Sequence, residues 1–267
     1  MKKAAVVLAG LFLLVAGVWF IVLPGGLIKD LIEHSLGSDV VYLKADGFRK
    51  GLFYDFSARK ILLRKAGAGK DSDVTLLEFD DVNGRLDLLS VAAFRPRLNF
   101  SCKIGDGVVT GRVGLTGKGP TKIVGGDIHL EEVPFLEPFG IHGGGTMSGS
   151  FEESGNKSDL ELSLINANLS STTFMGVFLP LEIFHEVRAA ATITDGVVDI
   201  QSLALSGDGL YGRVRGSVRG GNMDMSLELM TDPSFKLAPL LQAMVERYRV
   251  SPGYYVFPLR GEVPHGQ

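Results

Sequence analysis

The chain has 267 residues, and its 27 lysines and arginines against 30 aspartates and glutamates give a formal net charge of −3. This balance argues against a nucleic-acid partner, which requires a clustered basic surface. Cys102 is the single cysteine, so an intramolecular disulfide is excluded. Its apolar position in a strand-like run predicts a small buried side chain.

The first hydrophobic stretch covers residues 4–23 and contains no charged side chain. A helix of roughly twenty residues, rising about 1.5 Å each, spans the roughly 30 Å of a bilayer's hydrocarbon core. Lys2 and Lys3 precede the stretch, so the positive-inside rule predicts a cytoplasmic N-terminus and an exported remainder. A cleaved signal peptide is the alternative, but the apolar run continues past Ala16 and Gly17 and is followed by a weak cleavage site.

Residues 1–24 are therefore predicted to form an N-terminal transmembrane anchor. The residues assigned to this membrane anchor are Leu8, Leu11, Phe12, Leu13, Leu14, Val18, Trp19, Phe20, Ile21 and Val22. The short lysine-bearing start and the lack of another sorting signal favour a bacterial inner membrane, with the remainder of the chain in the periplasm.

An amphipathic helix is predicted just beyond the anchor, over residues 25–37. Its apolar residues recur at helical spacing, and Gly37 follows the last of them, where a helix commonly ends. Such a helix either lies in the membrane interface or packs on the domain that follows. The apolar residues of this segment are Leu27, Ile28, Leu31, Ile32 and Leu36.

From residue 40 onward the hydrophobic pattern changes its period from 3.6 to 2. Segments 97–104, 109–116, 159–164 and 223–229 alternate apolar with polar side chains, as half-buried strands do. Clean alternation is typical of antiparallel sheets with one wet face. The 35 glycines fit a chain made largely of hairpins. Length alone allows one domain or two, and we predict one β-rich periplasmic domain over residues 38–267.

Short amphipathic helices are predicted to connect some of these strands. One covers residues 133–141, and another covers 233–248, where Asp232 is placed to cap the helix and Pro233 suits its first position. Residues 174–187 resemble a degenerate third connection of this kind. The recurrence suggests internal repeats around residues 97–151 and 197–263.

Motifs that carry enzyme chemistry are not found. The five histidines are scattered without metal-ligand spacing. Gly207, Gly209 and Gly212 match a dinucleotide fingerprint formally, but the helix and βαβ frame are missing, so a hairpin turn is predicted instead. Adjacent carboxylates in strands point to opposite faces and form no acid/base pair. We therefore predict no enzyme activity and no cofactor.

Two surfaces are candidates for binding. The alternating strands direct their apolar side chains to one face, which is either a closed core or an open groove for acyl chains. The residues of this candidate lipid-facing groove are Leu160, Leu162, Leu164, Met223, Met225, Leu227 and Leu229. Arg213, Arg215 and Arg219 share the wet face of one strand, where they form either a contact for anionic partners or an ordinary charged surface that protects the sheet.

Several longer segments carry a family resemblance. They are GLFYDFSARKILL (51–63), TITDGVVDIQSLALSGDGLYGRVRGSV (192–218) and the closing FPLRGEV (257–263). With the N-terminal anchor, they make the chain similar to the bacterial AsmA-like superfamily and, within it, to the protein N family of type II secretion systems. The resemblance covers nearly the full length, and its motifs are structural.

The resemblance implies an inner-membrane-anchored periplasmic β-protein without catalytic residues. The narrower family implies a non-catalytic component of the type II secretion system, and the wider superfamily implies a curled antiparallel sheet with an apolar inner face that binds or transfers lipid for the outer membrane. The expected partners are the inner membrane, other type II secretion subunits and lipid.

Overall fold

A computed structural model describes residues 25–26, 29, 41–51, 54–65, 73–87, 89–90, 93, 95, 97–114, 120–134, 142–174, 177–235, 242–243 and 245–262. This part of the chain is mainly β-structure. Its strands are β1 (Val41–Asp46), β2 (Arg49–Lys50), β3 (Asp55–Lys65), β4 (Val74–Leu86), β5 (Arg97–Ile104), β6 (Gly107–Gly114), β7 (Thr121–His129), β8 (Gly143–Ser154), β9 (Lys157–Leu169), β10 (Thr172–Phe174), β11 (Val177–Leu179), β12 (Phe184–Thr194), β13 (Val197–Gly207), β14 (Leu210–Arg219), β15 (Asn222–Thr231), β16 (Arg249–Ser251) and β17 (Tyr254–Glu262).

Fifteen of these strands form one antiparallel sheet. Its order is β1-β3-β4-β5-β6-β7-β8-β9-β12-β13-β14-β15-β17-β16, with β2 also paired to β3. The order hardly departs from the chain order because neighbouring strands are joined as hairpins. Within the described residues the sheet is open, since β1 and β16 lie at opposite ends of the order. The predicted β-rich antiparallel architecture is thereby confirmed.

Tight turns of the predicted kind join several strand pairs. Asp195 and Gly196 have φ of 50° and 77°, and Gly220 and Gly221 have 53° and 81°. Two consecutive residues with positive φ define the type I′ turn, whose twist matches that of the flanking strands. Gly209 (φ 79°) likewise lies between β13 and β14, so the glycine string there is a hairpin, as predicted.

Three strands carry a non-glycine residue in the left-handed region. Asp81, Asp127 and Asn166 have φ of 50°, 57° and 53° and lie in β4, β7 and β9. Aspartate and asparagine tolerate this conformation better than other side chains. The register of the pairing shifts beside Asp81 and beside Asp127. Such β-bulges bend a strand and increase its twist.

The sheet has an apolar face and a polar face, which the register defines residue by residue. One cross-strand row of the apolar face contains Cys102, Val109, Gly125, Gly149, Leu162, Ala189, Leu203, Val214, Leu227 and Phe257. The neighbouring row contains Phe56, Gly84, Phe100, Gly111, Ile123, Phe151, Leu160, Ala191, Ile200, Gly216, Met225 and Leu259. We call these the Cys102 row and the Phe56 row. The residues between them in each strand form the polar face.

Longer connections cover part of the apolar face at one end of the strands. Val133 is 3% exposed and packs in the cluster of Ile104 and Ile128. Leu181, in a 3₁₀ turn over Leu181–Ile183, shares a cluster with Leu210, which is 1% exposed. These connections supply the second layer that a single sheet needs to bury its apolar side chains.

The structure describes only part of the segments predicted to form connecting helices. Most residues of 133–141 lie outside the described part. In the described part of 233–248, Pro233 and Ser234 lie in a turn, Gln242, Ala243 and Val245 are helical, and Glu246–Tyr248 form a 3₁₀ turn. Residues 174–187 do form a connection, but it contains β11 and a 3₁₀ turn before β12 begins at Phe184.

No helix in the described part of the chain has the length and apolar composition needed to cross a bilayer. The predicted anchor over residues 4–23 and most of the helix predicted over 25–37 lie outside the described residues.

Candidate functional site

The apolar face brings the two predicted groups of groove residues onto shared rows. Leu162 of β9 and Leu227 of β15 belong to the Cys102 row, and Leu160 and Met225 belong to the Phe56 row. Leu164 and Leu229 lie on a third cross-strand row of the apolar face. The members of that row are Ile128, Met147, Leu164, Val187, Leu205, Gly212, Leu229 and Tyr255.

The two groups differ in how far other side chains cover them. On β15, Met223 and Leu227 are each 4% exposed. Leu227 shares a buried cluster with Val245, from the connection between β15 and β16. The Tyr248 ring from the same connection lies 4.6 Å from the Phe257 ring between centroids. The β15 group is therefore part of a covered core.

On β9 the same face is open. Leu162 is 38% exposed, and its row neighbours Gly149 and Ala189 are small. The half-buried or exposed apolar residues around it, which we call the open strip, lie on β8, β9, β12 and β13. They are Phe151, Leu160, Leu162, Ala189, Ala191, Ile193, Val198 and Ile200. Four strands about 4.8 Å apart make this strip roughly 15 Å wide.

Glycines shape the floor beside Leu162. A Cβ added to Gly149 would lie 2.6 Å from Leu162 Cδ2, so the leucine side chain leans over the glycine. Gly125 continues the same row on β7. Because these positions lack side chains, Leu162 covers the Gly149 backbone and has no large side chain beside it on that side of its row.

The polar face carries ion pairs, most of which join neighbouring strands. Lys103 Nζ lies 3.1 Å from Asp81 Oδ2, and Arg260 Nε lies 2.9 Å from Asp224 Oδ1. Further pairs join Lys60 to Glu78 and Asp80, Lys122 to Glu152, and Lys157 to Asp159. Exposed pairs of this kind contribute little to stability individually, so they indicate a wet surface.

A polar network crosses β9, β12 and β13 on this face. The Thr192 hydroxyl donates to Asp159 Oδ1 at 2.8 Å and accepts from Gln201 Nε2 at 2.7 Å. The pKa of the Asp159 carboxyl is lower than its usual value, and the largest cause is Lys157, followed by Thr192. Both side chains donate hydrogen bonds to the charged form of the carboxyl and so favour it.

The predicted arginine patch lies on the polar face of β14. Arg215 is 3.7 Å from Glu228 Oε1, and Arg213 lies opposite the same glutamate on β15. The Nε atom of Arg213 is buried without a hydrogen-bond partner. Arg219 is exposed at the end of the strand. Acidic residues of β15 thus share this surface with the arginines.

Sequence patterns pointed to the leucines of β9 but missed their neighbours on β12 and β13. The alternation there is obscured by the alanine run Ala189–Ala191 and by register shifts near Ala190 and Ile200. Cys102 is buried, as predicted, at 4% exposure. Burial raises the pKa of its thiol to about 11, because desolvation disfavours the thiolate.

In the described residues, no group of three or more His, Cys, Asp or Glu side chains is arranged to hold a metal ion. Comparisons with protein-family models, with curated proteins and with solved structures find no match. Function is therefore inferred from the residues and geometry of this chain.

Proposed function

We propose that this chain is a non-catalytic, inner-membrane-anchored periplasmic protein that binds the acyl chains of lipids on its apolar face. The observation that carries the proposal is the open strip, in which Leu162 is 38% exposed among other apolar side chains of four adjacent strands. A contiguous exposed apolar surface commonly marks a ligand or interaction site.

The energetics of acyl chains suit this surface. Each CH₂ removed from water contributes roughly 0.8 kcal/mol, so a chain segment of several carbons offsets the cost of ordering it. The small residues beside Leu162 leave room for close contact, and the covered core on β15 keeps the sheet rigid. The bulges at Asp81, Asp127 and Asn166 support a curled, AsmA-like form of this sheet.

A second candidate is a component of the type II secretion system that docks other subunits through the same periplasmic sheet. It is supported by the resemblance of residues 51–63, 192–218 and 257–263 to the protein N family. The sheet's open edges also favour it, since edge strands can pair with an added strand from a partner. At the β16 edge, Val250 is 65% exposed.

Lipid binding can be tested on the full chain by native mass spectrometry after extraction from bacterial membranes in a mild detergent. Retained phospholipid or lipopolysaccharide at near one-to-one ratio is expected. Leu162→Asp should abolish retention because a carboxylate in the strip must be desolvated by a bound acyl chain.

The matched control is Val124→Asp, since Val124 is 42% exposed on the polar face. If neither substitution reduces lipid retention, the lipid is held only around the anchor and not in the open strip. That result would contradict the proposal. Affinity capture that recovers secretion subunits with a lipid-free chain would instead favour the second candidate.

A further inference from the structure

Three arginines gather at one place on the polar face, where Asp55 of β3 lies opposite one of them, Arg85. Some other arginines of this face are paired, as Arg215 is with Glu228 and Arg260 with Asp224. Among the described residues, the ion pairs on the polar face do not include Arg85, Arg97 or Arg112. These three lie on β4, β5 and β6, which are adjacent strands.

Asn99 lies at the centre of this arginine group. The register places Arg85 opposite Asn99 on one side and Arg112 opposite it on the other. Directly opposite residues in an antiparallel sheet have Cβ atoms about 5 Å apart. Arg97 precedes Asn99 by two residues on the same strand and the same face, roughly 7 Å away. All three guanidinium groups can therefore reach one point above Asn99.

Two contacts show how the group is built. Arg112 Nε donates a hydrogen bond to Asn99 Oδ1 at 2.9 Å, which orients the guanidinium and leaves its terminal nitrogens for another acceptor. The Nε atom of Arg97 is buried and has no hydrogen-bond partner. A buried donor without an acceptor costs free energy, and a bound anion would satisfy it.

A depression of ≈ 660 Å³ adjoins the group on the polar face. Arg85 and Asn99 line it, together with Arg49 at the edge of the sheet. Lys50 also borders it, but lies opposite Phe56 and so belongs to the apolar face. Asp55 is the one carboxylate among the residues described as lining it. The other polar residues of the lining are Ser57, Asn83 and Ser101. The depression thus combines an excess of cations with neutral hydrogen-bonding side chains.

We propose that Arg85, Arg97 and Arg112, positioned around Asn99, bind a phosphate group. Guanidinium forks match phosphate oxygens in bidentate pairs, and several arginines around one point can each bind a different oxygen of one phosphate group. The phosphate belongs either to a phospholipid headgroup or to a small free phosphate. This site lies on the opposite face from the open strip and does not depend on acyl-chain binding there.

The test uses the full chain in a nonionic detergent and isothermal titration with three probes. They are inorganic phosphate, dihexanoylphosphatidylglycerol and, as the phosphate-free counterpart, dihexanoylglycerol. Binding of at least one phosphate-bearing probe is expected. The double variant Arg85→Gln/Arg112→Gln should weaken it by at least about tenfold, since each charge-assisted bond is worth more than a neutral one.

Arg215→Gln is the matched control, because it removes a cation from the same face that already has a carboxylate partner. It should leave affinity within about twofold. Arg112→Lys keeps the positive charge but loses the bidentate guanidinium group, so it should weaken phosphate binding less than the double variant does. Such an intermediate loss of affinity distinguishes impaired phosphate recognition from a failure of the variant to fold. Circular dichroism of each variant checks the sheet.

The outcomes separate the two sources. Inorganic phosphate that binds as tightly as the glycerophospholipid indicates a free phosphate, and binding of the lipid probe alone indicates a headgroup. The proposal is overturned if neither phosphate-bearing probe binds, if dihexanoylglycerol binds equally well, or if Arg215→Gln weakens binding as much as the double variant.

Discussion

Leu162 and Leu227 belong to the same cross-strand row, yet Leu162 is 38% exposed and Leu227 is 4% exposed. The difference arises because Val245 and Tyr248 cover the β15 end of the row, whereas small residues surround Leu162. One apolar face therefore serves as core at one end of the row and as accessible surface at the other.

Truncation should have opposite consequences at these two leucines. Leu227→Ala is expected to destabilise the chain by about 2–4 kcal/mol, because it leaves a cavity in a packed cluster. Leu162→Ala should cost under about 1 kcal/mol, since solvent already reaches the side chain. Urea unfolding of the two variants, followed by circular dichroism, measures both values. Equal losses would show that the strip is covered.

Gly84 is required for the packing of Phe56. A Cβ at Gly84 would lie 2.5 Å from Phe56 Cε1, and Phe56 is 5% exposed and stacks on Phe48 with centroids 5.5 Å apart. Gly84→Ala should therefore destabilise the sheet by about 1–3 kcal/mol. Gly126→Ala is the control, since nothing lies within 4 Å of its added Cβ. A neutral Gly84→Ala in thermal unfolding would contradict this packing.

Because Thr192 donates a hydrogen bond to Asp159, the stability of the folded chain should depend on pH in the acidic range. The pKa of the Asp159 carboxyl is lowered, chiefly by Lys157 and then by Thr192. Because the pKa is lower in the folded state than in the unfolded state, the ionised carboxyl stabilises the fold at pH values above the unfolded-state pKa. This stabilisation is lost as the pH falls through the folded-state pKa. Thr192→Val should lower the melting temperature at pH 7, and this effect should diminish as the pH falls below 3.8, the ordinary pKa of the carboxyl, and through its lowered folded-state pKa.

Thr194→Val serves as the control because Thr194 is exposed on the same strand. Titration of Asp159 by NMR in Thr192→Val should show a higher pKa than in the unaltered chain. An unchanged pKa would remove Thr192 as a cause of the shift.

Cys102 should be unreactive while the sheet is folded. Burial raises the pKa of its thiol to about 11, and the thiolate is the reactive form. Because this pKa is raised from its ordinary value of 9.0, stability should fall as pH rises from about 9 to about 11. Ellman's reagent at pH 8 should react slowly until denaturant is added. Ser101→Cys in a Cys102→Ala background, exposed on the opposite face, should react at once.

Local sequence patterns predicted the strands well. The alternation in 97–104 and 223–229 identified β5 and β15 because one face is apolar and the other wet, and the glycine string at Gly207, Gly209 and Gly212 identified a hairpin turn because glycine accepts positive φ. The exposure of Leu162 could not be predicted, because it depends on which distant connection covers which part of a row.

The arginine group around Asn99 could not be predicted from the sequence either. Arg97 and Arg112 were recognisable as outward residues of alternating segments, but the pairing of Arg85 with Asn99 depends on register. That register is shifted by the bulge beside Asp81, whose position the local pattern does not reveal.

Site-specific photo-crosslinking in living bacteria tests the central claim most directly. The full chain would carry p-benzoylphenylalanine in place of Leu162, in the open strip, or in place of Val124, exposed on the polar face. Lipid binding on the apolar face predicts lipid adducts, seen by mass spectrometry, at position 162 and few at 124. Equal adduct yields at both positions, or none at 162, would contradict it.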